Sequence, residues 1–263
     1  MSAAAPSRRT SIVITGASSG LGGQLARLYA APGVNLGLIG RNEARLMHGA
    51  EICRGLGAEV TAERRDVCDA GPLANWLLDL DDRAPIDLLI ANAGTSGGPA
   101  PGAPGEGQAL ATRQIATNLL GAVNTIEPLL PRFAARRSGR IVLVGSIAGY
   151  RGLPDSPAYS ASKAGVRAYG EALRARLAPS GVGVSVVCPG FFDSPMTDRF
   201  KGATPFLYSL ERAAISVKRG IDRGRPRIGF PWPLVLGLRL ADLIPAWLGD
   251  AILNHFRFHI LSD

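Results

Sequence analysis

The sequence predicts an α/β fold: a doubly wound, mostly parallel sheet flanked by helices on both faces, with a helical extension at the C-terminal end. Three observations predict it. Short apolar runs alternate with longer stretches of helical spacing, and strands joined by helical crossovers pair in parallel. The runs are continuously apolar rather than alternating, as strands covered on both faces must be. A glycine-rich turn joins the first run to the first helical stretch.

Taken in order, the first strand is 11–15, with Ile12, Val13 and Ile14 between polar ends, and the helix at 21–31 starts inside the glycine turn. The strand at 35–39 and the helix at 43–54 repeat the unit, as do the strand at 59–64 and the helix at 73–80. A fourth strand at 86–91 leads through a Gly/Pro-rich segment, 95–107, into one long helix at 108–136. The strand at 140–145, the helix at 158–178 and the strand at 183–188 complete the pattern. Segments 95–107 and 191–210 both follow strand carboxyl ends, where open α/β sheets place their ligand crevice. Long loops there carry substrate contacts. With no internal repeat and no linker, residues 1–263 read as one dinucleotide-binding and catalytic domain, 191–263 serving as substrate lid and C-terminal helices.

The 263 residues are 46% hydrophobic and 19% charged, which excludes disordered, collagen-like and coiled-coil chains. Cys53, Cys68 and Cys188 lack CxxC spacing, so neither a disulfide framework nor a zinc site is expected, and a reducing, cytoplasmic compartment is. His255 and His259 stand one helical turn apart with no third ligand near them, so no metal site is expected. The net charge of +8 is concentrated: 199–227 holds eight basic residues against Glu211 and Asp222. No nucleic-acid module accompanies that run, and a solvated face is the expected outcome. Residues 1–10 lack an apolar signal core, and Pro, Asp and Arg interrupt the apolar segment 228–260, so no membrane span is expected.

The turn reads Thr15-Gly16-Ala17-Ser18-Ser19-Gly20-Leu21-Gly22. Between a strand and a helix, its glycines let the backbone turn tightly and approach a pyrophosphate, to which the helix N-terminus offers free amides. Tyr159 and Lys163 stand four apart on a predicted helix and share a face. Free tyrosine has a pKa of about 10, and a nearby ammonium is expected to draw it toward working pH, making a proton donor or acceptor. Of the 29 basic residues, only Lys163, Lys201 and Lys218 are lysine. A compact ammonium able to reach both a phenol and a ribose hydroxyl is not replaceable by a guanidinium. Ser146 is placed to hydrogen-bond a substrate oxygen as charge develops on it.

These motifs, in this order, resemble the single-domain short-chain dehydrogenase/reductase family with its Rossmann-like fold, over residues 11–200. The resemblance implies that Asn92-Ala93-Gly94 supports the sheet and the cofactor pocket, that Asp66 and Val67 contact the adenine, and that Asn118 completes a tetrad with Ser146, Tyr159 and Lys163 and maintains a proton-relay water. Pro189 and Gly190 correspond to the family's turn beneath the nicotinamide. Ser194 stands in for the usual threonine that bonds the carboxamide. It further implies a homodimer or homotetramer formed through 108–136 and 158–178.

At the end of the second strand, Gly40-Arg41-Asn42 offers no carboxylate for a ribose diol. Arg41, supported by Asn42 or Ser18, points to a 2′-phosphate, and hence to NADP(H) in preference to NAD(H). Ten of the sixteen aromatic residues follow Gly190. They admit three uses: packing of a lid, an apolar substrate pocket, or contact of Trp232, Leu236, Leu240, Leu243 and Trp247 with a membrane or a partner subunit. The expected activity is NADP(H)-dependent interconversion of a carbonyl and a secondary alcohol on a small, largely apolar molecule. A catalytically silent nucleotide sensor or scaffold is the rival, against which the complete Ser146–Tyr159–Lys163 set argues. An epimerase or dehydratase would need a larger C-terminal substrate domain than this chain has room for.

Overall fold

A computed structural model describes residues 10–100, 102–202, 204–240, 244–255 and 259–260. The strand–helix order matches the sequence reading: β1 (Thr10–Thr15), α1 (Gly20–Tyr29), β2 (Val34–Gly40), α2 (Glu43–Gly55), β3 (Glu59–Arg64), α3 (Ala70–Arg83) and β4 (Leu88–Ala91). Three short helices, α4 (Gln108–Ile115), α5 (Gly121–Ile126) and α6 (Leu130–Arg136), lead to β5 (Arg140–Val144), α7 (Pro157–Leu177) and β6 (Gly183–Pro189). Beyond β6 lie a short strand β7 (Phe200–Lys201), α8 (Leu210–Asp222), β8 (Arg227–Phe230), α9 (Trp232–Leu240), α10 (Ala246–His255) and β9 (His259–Ile260).

Seven strands form one parallel sheet in the order β3-β2-β1-β4-β5-β6-β8. Alternate side chains of each strand feed two cores. Ile12 and Ile14 join Leu25, Ala213 and Val217 on one face, while Val13 joins Leu73, Leu77 and Leu173 on the other. Both faces are therefore covered, and fully buried side chains such as Leu89 and Ile141 each contribute about 1.5–3 kcal/mol. The chain winds outward from β1 to β3, then returns to lay β4 against the other side of β1, so the direction of winding reverses between β1 and β4. Asn92 and Thr15 stitch that junction: the Asn92 and Ala93 amides each donate to Thr15 Oγ1 at 3.0 Å, and Asn92 Nδ2 donates to the Thr15 carbonyl at 2.9 Å.

Three sequence expectations are corrected. The 108–136 helix is broken twice, by a wider π turn at Ala116–Leu120 and a 3-10 turn at Glu127–Leu129 that carries Pro128. A seventh parallel strand, β8, joins the six that apolar runs predict; it is only four residues long, lies at the sheet edge and begins within the basic run. Its buried Ile228 and Phe230 alternate with exposed Arg227 and Gly229, a period-2 signal too short to stand out. Trp232, Leu236, Leu240 and Trp247, whose near-helical spacing suggests one face, divide between two helices: Trp232, Leu236 and Leu240 stand on α9, and Trp247 on α10. Leu243, Phe256 and Phe258 and the side chains of His255 and His259 lie outside the described residues. Among those described, no helix is long and apolar enough to cross a membrane.

Candidate active site

A cleft of about 960 Å³ opens at the carboxyl ends of the strands, at the point where the winding reverses. Gly16, Ser18, Ser19, Gly20 and Leu21 line one end, with Arg41, Asp66 and Val67 beyond them. Asn92, Ala93, Gly94, Ser146, Tyr159, Lys163, Pro189 and Gly190 line the middle, and Ser194 lies past them. Two predicted residues stand behind the wall instead. Gly22 is a packing position, because a Cβ there would sit 2.4 Å from both the Gly16 carbonyl oxygen and Asn92 Nδ2. Gly16 adopts φ +68°, a left-handed conformation that costs glycine little. The chain thus turns sharply out of β1, and α1 begins with no side chain capping its first amides. Those uncapped N–H groups, at the positive end of the helix dipole, suit a pyrophosphate.

Asn118, 1% exposed, is the second. It sits within the π turn, and the extra backbone residue of such a turn redirects side chains at functional sites. Its Oδ1 accepts the Thr95 N–H at 2.8 Å, and its Nδ2 donates to the Thr95 carbonyl at 3.0 Å and to Ser162 Oγ at 2.9 Å. The side chain therefore ties the loop after β4 to α7.

Tyr159 and Lys163 project from α7 on one helical face. Ser146 stands just after β5, where its hydroxyl accepts the Ala148 N–H at 3.1 Å. Burial pushes the Tyr159 phenol up, opposed by the hydrogen bond with Ser146. The expected lowering by Lys163 is not what governs it. Lys163 Nζ lies 5.8 Å from the ring centre and donates to the Val144 carbonyl at 2.9 Å. Burial itself lowers the amine to about 8, and Lys163 is only 4% exposed. The amine therefore costs the fold stability below pH 8, where it is charged in both folded and unfolded chains. Between about 8 and its ordinary 10.5, the folded amine sheds its proton first and that cost is relieved. Wild type is expected to gain about 3 kcal/mol relative to Lys163→Met across that window. Urea unfolding at pH 7.5, 9 and 10.5 measures it, and parallel pH profiles for the two proteins would refute the assigned shift.

The Arg41 end of the cleft holds more cationic groups than spacing suggested. Arg45 and Arg65 line the cleft beside Arg41, whose guanidinium lies 4.0 Å from Asp66 Oδ2. Arg45, four residues beyond Arg41 in the first turn of α2, was a findable signal; Arg65 follows β3 directly. At the opposite end, Ser194 Oγ lies 3.0 Å from Thr197 Oγ1, which donates to the Phe192 carbonyl at 2.6 Å. Thr197 is a second hydroxyl in the cleft wall that no motif singles out. Leu153, Met196, Phe206, Leu234 and Leu238 continue an apolar wall there. Trp232 and Trp247, each 72% exposed, are not part of that wall.

The short chain dehydrogenase model matches residues 10–203. The chain belongs to the short-chain dehydrogenase family. An "Uncharacterized oxidoreductase" of Myxococcus xanthus strain DK1622 is 37% identical over 253 residues, covering 95% of this chain and 98% of that protein. A granaticin polyketide synthase putative ketoacyl reductase of Streptomyces violaceoruber is 36% identical over 193 residues, 72% of this chain and 70% of the relative. Among solved structures, a short-chain dehydrogenase from Sphingobium yanoikuyae in complex with NADPH superposes with a TM-score of 0.76 at 26% identity, covering 90% of this chain and 97% of that one. This short-chain dehydrogenase is thus an NAD(P)-dependent oxidoreductase acting on carbonyl and CH–OH groups.

Proposed function

We propose that this short-chain dehydrogenase is an NADP(H)-dependent reductase of an apolar ketone or aldehyde, with the reverse oxidation available at higher pH. One observation carries the reading. Ser146, Tyr159 and Lys163 converge midway along a cleft whose one end is cationic and glycine-lined and whose other end is apolar. The glycine turn and the α1 amides would hold a dinucleotide's pyrophosphate, and Arg41, Arg45 and Arg65 its 2′-phosphate. The bound dinucleotide supplies a hydride to the carbonyl carbon or takes one from it. Ser146 Oγ would donate to the substrate oxygen and hold it beside Tyr159, whose Oη gives up its proton as charge grows there. Because burial keeps that phenol protonated at neutral pH, the resting residue is a donor, which favours reduction. Lys163 would bind the ribose hydroxyls and return a proton toward the phenol. The NADPH-bound Sphingobium neighbour and the ketoacyl-reductase relative support this chemistry by likeness.

Exposed Ile115 and Leu120 along the α4–α5 face support pairing of two copies through those helices. The test of function is a screen of ketones, aldehydes and secondary alcohols, followed by nicotinamide absorbance with NADPH and with NADH. Turnover of bulky apolar ketones with NADPH is the expected result. Saturable NADPH binding without turnover of any carbonyl would favour the sensor reading.

A further inference from the structure

The helix bearing Tyr159 and Lys163 begins without its own side-chain cap. Ser156, at the cap position and fully buried, turns its hydroxyl away to donate to the Gly97 carbonyl at 3.1 Å. The vacant place is taken by a residue 52 positions before Ala158: Glu106 Oε2 accepts the Ala158 N–H at 2.8 Å. Its other oxygen, Oε1, accepts from Gln114 Nε2 at 2.9 Å. Gln114, fully buried on α4, uses its own Oε1 to accept the Gly97 N–H at 3.1 Å. A closed relay therefore runs from Gly97 through Gln114 and Glu106 to Ala158, the residue before Tyr159. A carboxylate at this place also suits the positive end of α7.

Resting on the reading above, we propose that Glu106 is a positioning residue for Tyr159: with Gln114 it clamps the start of α7 to the 95–97 loop and so fixes where the phenol stands beside Ser146. Every acceptor in the clamp has one donor, so its polarity is defined. Glu106→Gln leaves one acceptor for two donors and breaks one link. Gln114→Glu sets two carboxylates against each other. The double variant Glu106→Gln/Gln114→Glu restores every bond with the amide and the carboxylate exchanged. The carboxylate then at position 114 accepts from the Gly97 N–H and from the amide at position 106, whose carbonyl oxygen accepts from Ala158.

The experiment measures kcat, the KM for NADPH and thermal midpoint for Glu106→Ala, both single exchanges and the double exchange, using the ketone reduced best in the screen. Misplacement of a reacting group by about 1 Å costs on the order of 100-fold. Glu106→Ala and Gln114→Glu are expected to lose about 10- to 100-fold in kcat while the KM for NADPH stays within about twofold, since the cofactor turn is formed elsewhere. The double exchange is expected to regain kcat to within about threefold of wild type, a coupling only contacting residues show. Wild-type kcat in Glu106→Ala, a double exchange no better than Gln114→Glu, or losses that follow the thermal midpoint alone would each overturn the proposal. Normal turnover by Tyr159→Phe would instead overturn the underlying assignment, a separate result.

Discussion

Tyr159→Phe is expected to lower kcat by about 10²- to 10⁴-fold, the range a general acid contributes, while NADPH binding stays within about twofold. The substitution removes one oxygen from a ring otherwise held in place by α7 and leaves the glycine turn, the α1 amides and the arginines untouched. Its effect should therefore fall on kcat and kcat/KM for the ketone together, the mark of an interaction made in the transition state. The pH profile sharpens the test. Burial raises the phenol's pKa, so wild-type reduction should hold level through neutral pH and fall only on the alkaline side. The residual activity of Tyr159→Phe should lack that alkaline limb. Stopped-flow hydride transfer with NADPH and fluorescence titration of the nucleotide separate the two quantities. A variant that turns over at the wild-type rate would remove Tyr159 from the chemistry.

Arg41→Glu should turn the cofactor preference from NADPH toward NADH by about 100-fold in the ratio of kcat/KM values. A charge-assisted bond to a phosphate is worth about 1.5–3 kcal/mol, or roughly 10- to 150-fold, and the new carboxylate adds repulsion of the phosphate while offering an acceptor to ribose hydroxyls. Arg45 and Arg65 remain, so NADPH use should fall without vanishing. The triple replacement of Arg41, Arg45 and Arg65 by Gln should abolish the preference altogether. Because the Arg41 side chain beside Asp66 is largely solvent-facing, its contribution should also weaken with salt. Steady-state kinetics with both nucleotides at low and at high salt decide this; an unchanged ratio would place the 2′-phosphate away from these side chains.

How far the sequence could be read depended on the range of the forces involved. The glycine turn was legible because a strand, a tight turn and a helix start are local events within a dozen residues, and the structure places Gly16, Ser18, Ser19, Gly20 and Leu21 at the cleft together. Tyr159 and Lys163 were legible for the same reason: helical periodicity alone puts them on one face. The direction of their titration was not. Spacing suggests an ammonium lowering a phenol, but burial acts on each group separately, raising the tyrosine and lowering the lysine. For Lys163 that burial depends on Val144 and Gly94 arriving from other parts of the chain.

By itself, then, the sequence determined the strand–helix order through β6, the parallel sheet, the glycine turn after β1 and the placing of Tyr159 and Lys163 on one helical face, since each follows from apolar periodicity or from neighbours within a few residues. The tertiary structure alone decided that β8 closes the sheet edge, that a π turn directs Asn118 to Thr95 and Ser162, and that Leu234 and Leu238 rather than Trp232 line the cleft. It also decided that Glu106, far back in the chain, caps the helix carrying Tyr159. Each of those outcomes is a contest among distant groups for the same hydrogen-bond partners and the same dry space, and only the assembled chain settles which of them meet.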